Sequence, residues 1–377
     1  MVDKRKFKDI NVSLLGLGTM RLPCETEQKR ESNPNIDYAK AQKLVDLAYQ
    51  NGVNYFDTAY MYHCGKSEAF IGSALKKYPR DTYFLADKLP IWMCDTKEDM
   101  KRVFDEQLQR TGMEYFDFYL LHSLDKENFE KCEKFGAYDF IKEMQKECKI
   151  KYIGFSFHGT VDDLREIVSA HKWDFAQIQM NYLDWKNQNA KSQYEILEGA
   201  GIPTIVMEPV RGGKLALVND EISDMFKSSK PQNTPASWAM GFVASHKNII
   251  TILSGMNSEE QMLDNLSTLT DFKPFTDCEY ALCEKAAAIL HKSEVISCTG
   301  CDYCQPCPKG IKISSFFSLY NSVVSGEMDI NSGRKEYNSY KINPTSCAWC
   351  NKCKNHCPQS ISVPDVLEGK VIKLFMQ

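Results

Sequence analysis

No run of about 18 apolar residues occurs anywhere in this 377-residue chain, so a membrane-spanning helix is not expected. A leader is not expected either, because the charged start Met1-Val2-Asp3-Lys4-Arg5-Lys6-Phe7 precedes no signal-type apolar core. Basic residues are not in excess: 46 Lys and Arg face 50 Asp and Glu, for a net charge of −4, and they are dispersed. A nucleic-acid surface therefore has no compositional support, and the cytoplasm is the expected compartment. The dinucleotide fingerprint G-x-G-x-x-G is missing, since Gly16-Leu17-Gly18-Thr19-Met20-Arg21 departs from it and no helix opens there. No flavin-binding signature is found.

What is present is material for a large core, with 43% hydrophobic residues, and an unusual 15 cysteines. Seven of these (Cys24, Cys64, Cys94, Cys132, Cys148, Cys278, Cys283) are scattered singly and read as small hydrophobes or idle thiols. Cys64 stands out only because it lies beside a candidate site. The other eight fall in two tight groups within the last 80 residues.

Up to about residue 272 the chain alternates. Strand-like runs are expected at residues 14–19, 53–56, 83–86, 116–121, 152–155, 175–179, 204–207 and 250–253. Helical patterning separates them, at 38–50, 67–77, 97–110, 138–147, 161–170, 191–198, 235–245 and 259–269. Start signals include Ser67-Glu68, Thr96 with Asp99, and Thr234-Pro235. Eight such units predict an α/β fold, a (β/α)₈ or TIM barrel, with an open doubly wound sheet as the alternative.

In a barrel, active groups stand at the C-terminal ends of strands. Asp57 ends the second strand, Lys88 the third and His122 the fourth, while Tyr62 follows Asp57 on the next loop. Each alone reads as an ordinary loop charge or ring. Together they suit carbonyl reduction, in which hydride delivery leaves an alkoxide needing a proton and a polarising group. Tyr62 supplies the proton; its phenol, ordinarily near a pKa of about 10, needs a neighbouring ammonium to work near neutrality. Lys88 is that ammonium, Asp57 holds it, and His122 orients the carbonyl oxygen.

These residues, with Ser67-Glu68, Ile71-Gly72, Gly154-Phe155-Ser156, Gln177-Ile178-Gln179, Asn181-Tyr182, Met207-Glu208-Pro209, Gly212-Gly213-Lys214-Leu215, Ser254-Gly255-Met256 and Asn265, resemble the aldo-keto reductase superfamily over roughly residues 8 to 270. The resemblance implies that Asp57, Tyr62, Lys88 and His122 are the catalytic tetrad. It also implies a nicotinamide dinucleotide, NADP or NAD, extended across the barrel mouth. Ser156 and Gln179 would hold its carboxamide, Met207 would lie on the nicotinamide face, and Asn265 would bond the adenine. Thr19, Met20, Asp57, Val210, Gly212, Gly255, Met256 and Gln261 complete the implied cofactor contacts. Two departures matter. Phe157 follows Ser156 where many members have Asn, so His158 is a candidate to take over that contact. Gly255 and Gln261 stand where NADP-preferring members often carry basic residues, which leaves NAD and NADP open.

The tail carries Cys298-x₂-Cys301-x₂-Cys304-x₂-Cys307-Pro308 and Cys347-x₂-Cys350-x₂-Cys353-x₃-Cys357-Pro358. The second is the bacterial ferredoxin run and the first differs by one residue, which predicts two [4Fe–4S] clusters. Because the fourth Cys of such a run reaches the other cluster, Cys298, Cys301, Cys304 and Cys357 are assigned to one, and Cys347, Cys350, Cys353 and Cys307 to the other. Paired structural zinc sites are the alternative. The long connection between the groups has helical spacing over 314–324, so a small, partly helical ferredoxin-like iron–sulfur domain is expected at 286–377, after a barrel domain at 1–285. The tail resembles the dicluster extension of a subset of aldo-keto reductase-like proteins.

Three functions are open: a carbonyl–alcohol oxidoreductase whose clusters exchange electrons with a ferredoxin or flavoprotein, an ordinary reductase with structural, oxygen-sensing or docking clusters, and a non-catalytic redox-binding scaffold. The small-molecule substrate is expected to meet mouth loops at 90–94, 123–136 and 184–189, with Trp92 and Trp185 as candidate aromatic walls.

Overall fold

The computed structural model describes residues 1–25, 35–291, 295–359 and 361–376. By contacts the chain divides into two compact units, Met1–Ala287 without Gly212–Lys214, and Ala288–Gln377 with those three residues.

The first unit opens with a hairpin the sequence reading did not anticipate. Strand β1 (Lys4–Phe7) pairs antiparallel with β2 (Ile10–Ser13) around Lys8, at φ 48°. Of β1 only Phe7 is buried, so no apolar alternation announces the strand. Eight strands follow: β3 (Leu15–Gly18), β4 (Tyr55–Asp57), β5 (Phe84–Leu89), β6 (Phe116–Leu124), β7 (Ile150–Phe157), β8 (Phe175–Gln179), β9 (Thr204–Met207) and β10 (Ile249–Ser254). They close into a parallel barrel in the order β10-β3-β4-β5-β6-β7-β8-β9, which decides against the open sheet. Phe7 and Val12 of the hairpin join Tyr55, Phe118, Phe175 and Ile205 in one buried cluster. Arg5 ties the hairpin down, with Nη1 donating to His246 O at 2.8 Å and Ile249 O at 2.6 Å, and Nη2 to Ala244 O.

Several caps act as their residues suggest. Thr96 accepts from Asp99 N at 3.1 Å, and Thr234 accepts from Ser237 N at 3.1 Å before a helix with Pro235 in its first turn. Ser67 and Glu68 do not cap. Helix Ser67–Leu75 starts there without a side-chain cap, because Ser67 Oγ donates to Thr19 Oγ1 at 2.6 Å and Glu68 pairs with Arg110. Residues 123–136, read as a mouth loop, contain helix Lys126–Phe135, capped by Asp125 and ended by Gly136 at φ 68°. Residues 184–189 likewise contain the short helix Asp184–Asn187. No helix among the described residues is long and apolar enough to cross a membrane.

The second unit is helical among its described residues. Helices Ile313–Val324 and Ile330–Ser339 and the segment from Val363 to Met376 enclose a core of Phe316, Phe317, Tyr320, Tyr337, Val371 and Phe375. Helix Ile330–Ser339 was not anticipated. Its start is set by Asp329, which accepts from Asn331 N and Ser332 N. Cys298, Cys304, Cys307, Cys347, Cys353 and Cys357 pack against this core.

Candidate active site

Asp57 is the last residue of β4, Lys88 lies near the end of β5, and His122 lies near the end of β6. Asp57 is in register with Ala86 and Lys88 with Leu120, so Lys88 and His122 each stand two residues further on and share the same face at the C-terminal end of the barrel. Tyr62 arrives on the turn Tyr62–Gly65, in which His63 and Cys64 are left-handed at φ 51° and 53°. Non-glycine residues rarely adopt that conformation, and strain of this kind collects at functional sites.

Lys88 is completely buried, and its ammonium spends its three protons locally. Nζ donates to Asp57 Oδ1 at 2.7 Å, to Thr58 O at 2.6 Å and to Tyr62 OH at 3.5 Å. The rings of Tyr62 and His122 meet edge to face, with centroids 6.3 Å apart. Asp57 is held by a hydroxyl chain: Thr19 Oγ1 donates to Asp57 O at 2.9 Å and receives Ser67 Oγ, itself 2.9 Å from Thr58 Oγ1. Burial pulls the Asp57 carboxyl upward and Lys88 opposes it. Burial, reinforced by Lys88, pushes His122 well below the ordinary imidazole value, so the ring is neutral and can donate a hydrogen bond at neutral pH.

The depressed His122 value has a stability consequence. Below about pH 6.5 the unfolded chain takes up a proton that the native state refuses, so stability falls on acidification by up to about 1.4 kcal/mol per pH unit for this one group. Urea midpoints between pH 7 and pH 5 should therefore fall less steeply in His122→Asn than in the native chain. Equal slopes would contradict the buried neutral ring.

The other residues implied as cofactor contacts are placed as follows. Ser156 Oγ accepts from Ser123 N at 2.7 Å, so its own proton is directed elsewhere. Gln179 Nε2 donates to Asp184 Oδ2 at 2.7 Å. Asp184 Oδ2 also accepts from Asn181 Nδ2 at 2.7 Å, and its Oδ1 forms an ion pair with Arg211 Nη2 at 3.1 Å. His158 follows Phe157 at the end of β7, and the low polarity around it pushes its imidazole down to about 4. Met207 ends β9, with its sulfur 3.5 Å from Gln177 Nε2. Thr19 is fully buried, whereas Met20 and Val210 are half-buried and Gly212 is left-handed at φ 65°. Asn265 Nδ2 donates to Ser254 Oγ at 3.0 Å, Gln261 accepts from Asn257 N at 2.9 Å, and Met256 is buried. Arg21, whose stem a Cβ at Gly255 would touch, pairs with Glu208 at 2.7 Å. Trp92 stands over His122 with centroids 5.1 Å apart. Trp185 is not placed as a wall of this site; it packs on His246 and Phe242 at 4.7 and 5.5 Å.

In the second unit the thiols gather in two groups. Cys298, Cys301 and Cys357 lie close enough to Cys304 to oppose its ionisation, and Cys347 and Cys307 do the same to Cys353. Cys350 lines a small cavity with Cys307, Cys347 and Cys353, which Cys304 also reaches. Burial pushes the Cys298 thiol up to about 11, and a bound cation would favour its thiolate. Among the described residues no three His, Cys, Asp or Glu side chains converge as ligands of one ion must.

A closed parallel barrel of eight strands, with a buried lysine–aspartate pair at the ends of β4 and β5, defines the scaffold. An aldo-keto reductase from Bacillus halodurans in its holo form shares the fold with a TM-score of 0.62 at 23% identity, covering 76% of this chain and 96% of that one. The chain is 26% identical over 304 residues to the NADH-specific methylglyoxal reductase of Escherichia coli, covering 69% of this chain and 91% of that protein. It is 24% identical over 293 residues to the probable aldo-keto reductase 1 of Glycine max, covering 68% and 81%. The family described as "Aldo/keto reductase family" matches residues 14–288, and the "4Fe-4S dicluster domain" matches residues 297–362. The chain belongs to the aldo/keto reductase family and carries a 4Fe-4S dicluster domain in its C-terminal part.

Proposed function

We propose that the barrel interconverts a carbonyl and an alcohol, with Asp57, Tyr62, Lys88 and His122 as its catalytic residues. The observation that carries this is the buried Lys88 ammonium shared between Asp57 and the Tyr62 hydroxyl, beside a neutral His122. A nicotinamide dinucleotide, when bound, supplies or accepts the hydride. Tyr62 delivers the proton to the oxygen, and a nearby ammonium stabilises the phenolate it leaves. His122 holds the same oxygen by donating a hydrogen bond. Ser156, Gln179 and His158 are the groups suited to hold the carboxamide, and Trp92 walls the substrate beside His122.

NAD is the favoured dinucleotide. A 2′-phosphate at the adenine ribose would meet Gly255 and Gln261, neither of them cationic, while Arg21 is paired with Glu208. The similar Escherichia coli reductase is described as NADH-specific. A phosphate without its charge-assisted bonds forfeits roughly 1.5 to 3 kcal/mol, about 10- to 150-fold in affinity. Steady-state reduction of a small aldehyde should show kcat/KM for NADH at least equal to that for NADPH. A tenfold preference for NADPH would overturn the assignment, and no turnover with either would leave the scaffold reading.

The clusters, two cubanes on eight thiols, exchange single electrons with a separate redox protein such as a ferredoxin or flavoprotein. Exposed Lys309, Lys312, Lys341, Lys352 and Lys354 lie in stretches, 303–326 and 337–364, that contain no acidic residue, which favours a partner with an acidic face.

A further inference from the structure

Behind Lys88 lies a set of buried groups that the proposed chemistry does not use. Successive strand residues face opposite ways, so Asp87 points away from the Lys88 side chain. It is fully buried, as is Glu68 on helix Ser67–Leu75. That helix lies hard against the end of helix Lys97–Thr111, since a Cβ at Gly72 would come within 2.0 Å of Thr111 O. The close approach brings Gln107 and Arg110 onto Glu68. Arg110 Nη1 donates to Glu68 Oε2 at 2.9 Å, and Asp87 Oδ1 accepts from Lys88 N at 2.8 Å. Gln107 bridges the set: Nε2 donates to Lys88 O at 3.0 Å, Oε1 accepts from Tyr119 OH at 2.6 Å, and its amide also reaches Glu68.

One oxygen of each carboxyl is left over. Glu68 Oε1 and Asp87 Oδ2 are buried without a donor among the described groups, yet the two carboxyls are within hydrogen-bonding reach of each other. A buried acceptor without a donor costs about 1–3 kcal/mol, and two ionised carboxylates at this range repel. One proton removes both penalties. We propose that Glu68 and Asp87 share a single proton between Glu68 Oε1 and Asp87 Oδ2, and that this pair is a positioning element holding the backbone of Lys88. The proposal rests on Lys88 being catalytic, as argued above.

Local charge supports it. With one proton the pair carries −1 beside Arg110, a guanidinium that also pairs with Glu106 at 3.3 Å, and Asp57 carries −1 against Lys88. Loss of the proton would add a second negative charge to the pair, within electrostatic range of Asp57 and Lys88 and beside the neutral Gln107 and Tyr119. Burial, then Glu68, push Asp87 well above the usual carboxylate range. A raised native value means stability is fully present below the unfolded carboxyl value, near pH 4, and declines as pH rises through the native one. Asp87→Asn, which mimics the protonated acid, should escape that decline.

The test uses anaerobically purified full-length protein. At pH 8 the infrared spectrum should contain a protonated-carboxyl band, sensitive to deuterium exchange, that Asp87→Asn lacks. Asp87→Ala should lower kcat by about tenfold or more with little change in KM, because a small misplacement of a catalytic group is enough, and Asp87→Asn should recover to within about threefold. Absence of the band, or Asp87→Asn as impaired as Asp87→Ala, overturns the proposal. If Asp87→Ala does not fold, the band and a urea midpoint of Asp87→Asn that gains on the native chain as pH rises decide it; without that gain the proposal falls. Lys88→Met separates the two readings. Turnover surviving in that variant would sink the catalytic role of Lys88, while the infrared band would still report on the pair.

Discussion

Tyr62→Phe is expected to lower kcat for carbonyl reduction by about 10²- to 10⁴-fold, the usual range for a positioned general acid. NADH binding should stay within about twofold, since only a transition-state interaction is removed. The variant is clean because it deletes one oxygen from a half-buried ring and leaves the Lys88–Asp57 pair at 2.7 Å untouched. Changing Lys88 or Asp57 is less clean. Either leaves a buried charge without its partner, at about 3–5 kcal/mol, a large part of the 5–15 kcal/mol that holds a typical domain together. Single-turnover measurement with NADH and a small aldehyde gives the result directly. Undiminished reduction by Tyr62→Phe would remove it as proton donor and with it the proposed mechanism.

Removing iron should have an effect of similar size on a different observable. The second unit has only a small core, and six of the eight thiols of the two cysteine runs pack against it. Metal-binding free energies in small metal-folded domains run to about 10–16 kcal/mol, which exceeds what such a core supplies alone. Chelation of the reduced clusters should therefore melt helices Ile313–Val324 and Ile330–Ser339, seen as lost helical circular dichroism, while NADH-dependent reduction on the barrel persists. Cys350→Ala should lower iron from about eight to about four atoms per chain, with a matching loss of visible absorption. Anaerobic mixing of the dithionite-reduced protein with an oxidised ferredoxin should return the visible absorption. Full helix content after iron removal would contradict the folding role; failure of every one-electron partner would favour clusters that serve structure alone.

The barrel was readable because its signal is local. Strands 175–179 and 204–207 and helices 38–50 and 161–170 coincide with the observed elements, since periodicity, caps and turn residues act within a few positions. Lys126–Phe135 and Ile330–Ser339 were missed although Asp125 and Asp329 stood as available caps, because long polar stretches between stronger signals look like loops. Hairpin β1–β2 was missed for another reason: what holds it is Arg5 on carbonyls more than 200 residues away.

By itself the sequence determined the eight alternating strand and helix units, the two cysteine runs, and which rim residues could meet, while closure of the sheet into a barrel came from the structure. The first three are properties of spacing. Only the tertiary structure decided that Ser67 and Glu68 turn inward and that Trp92 covers His122 while Trp185 does not. It alone set Asp87 against Glu68 beneath Lys88. Burial and pairing across distant segments set the ionisation of a carboxyl, and no local pattern encodes which strand and which helix will enclose it.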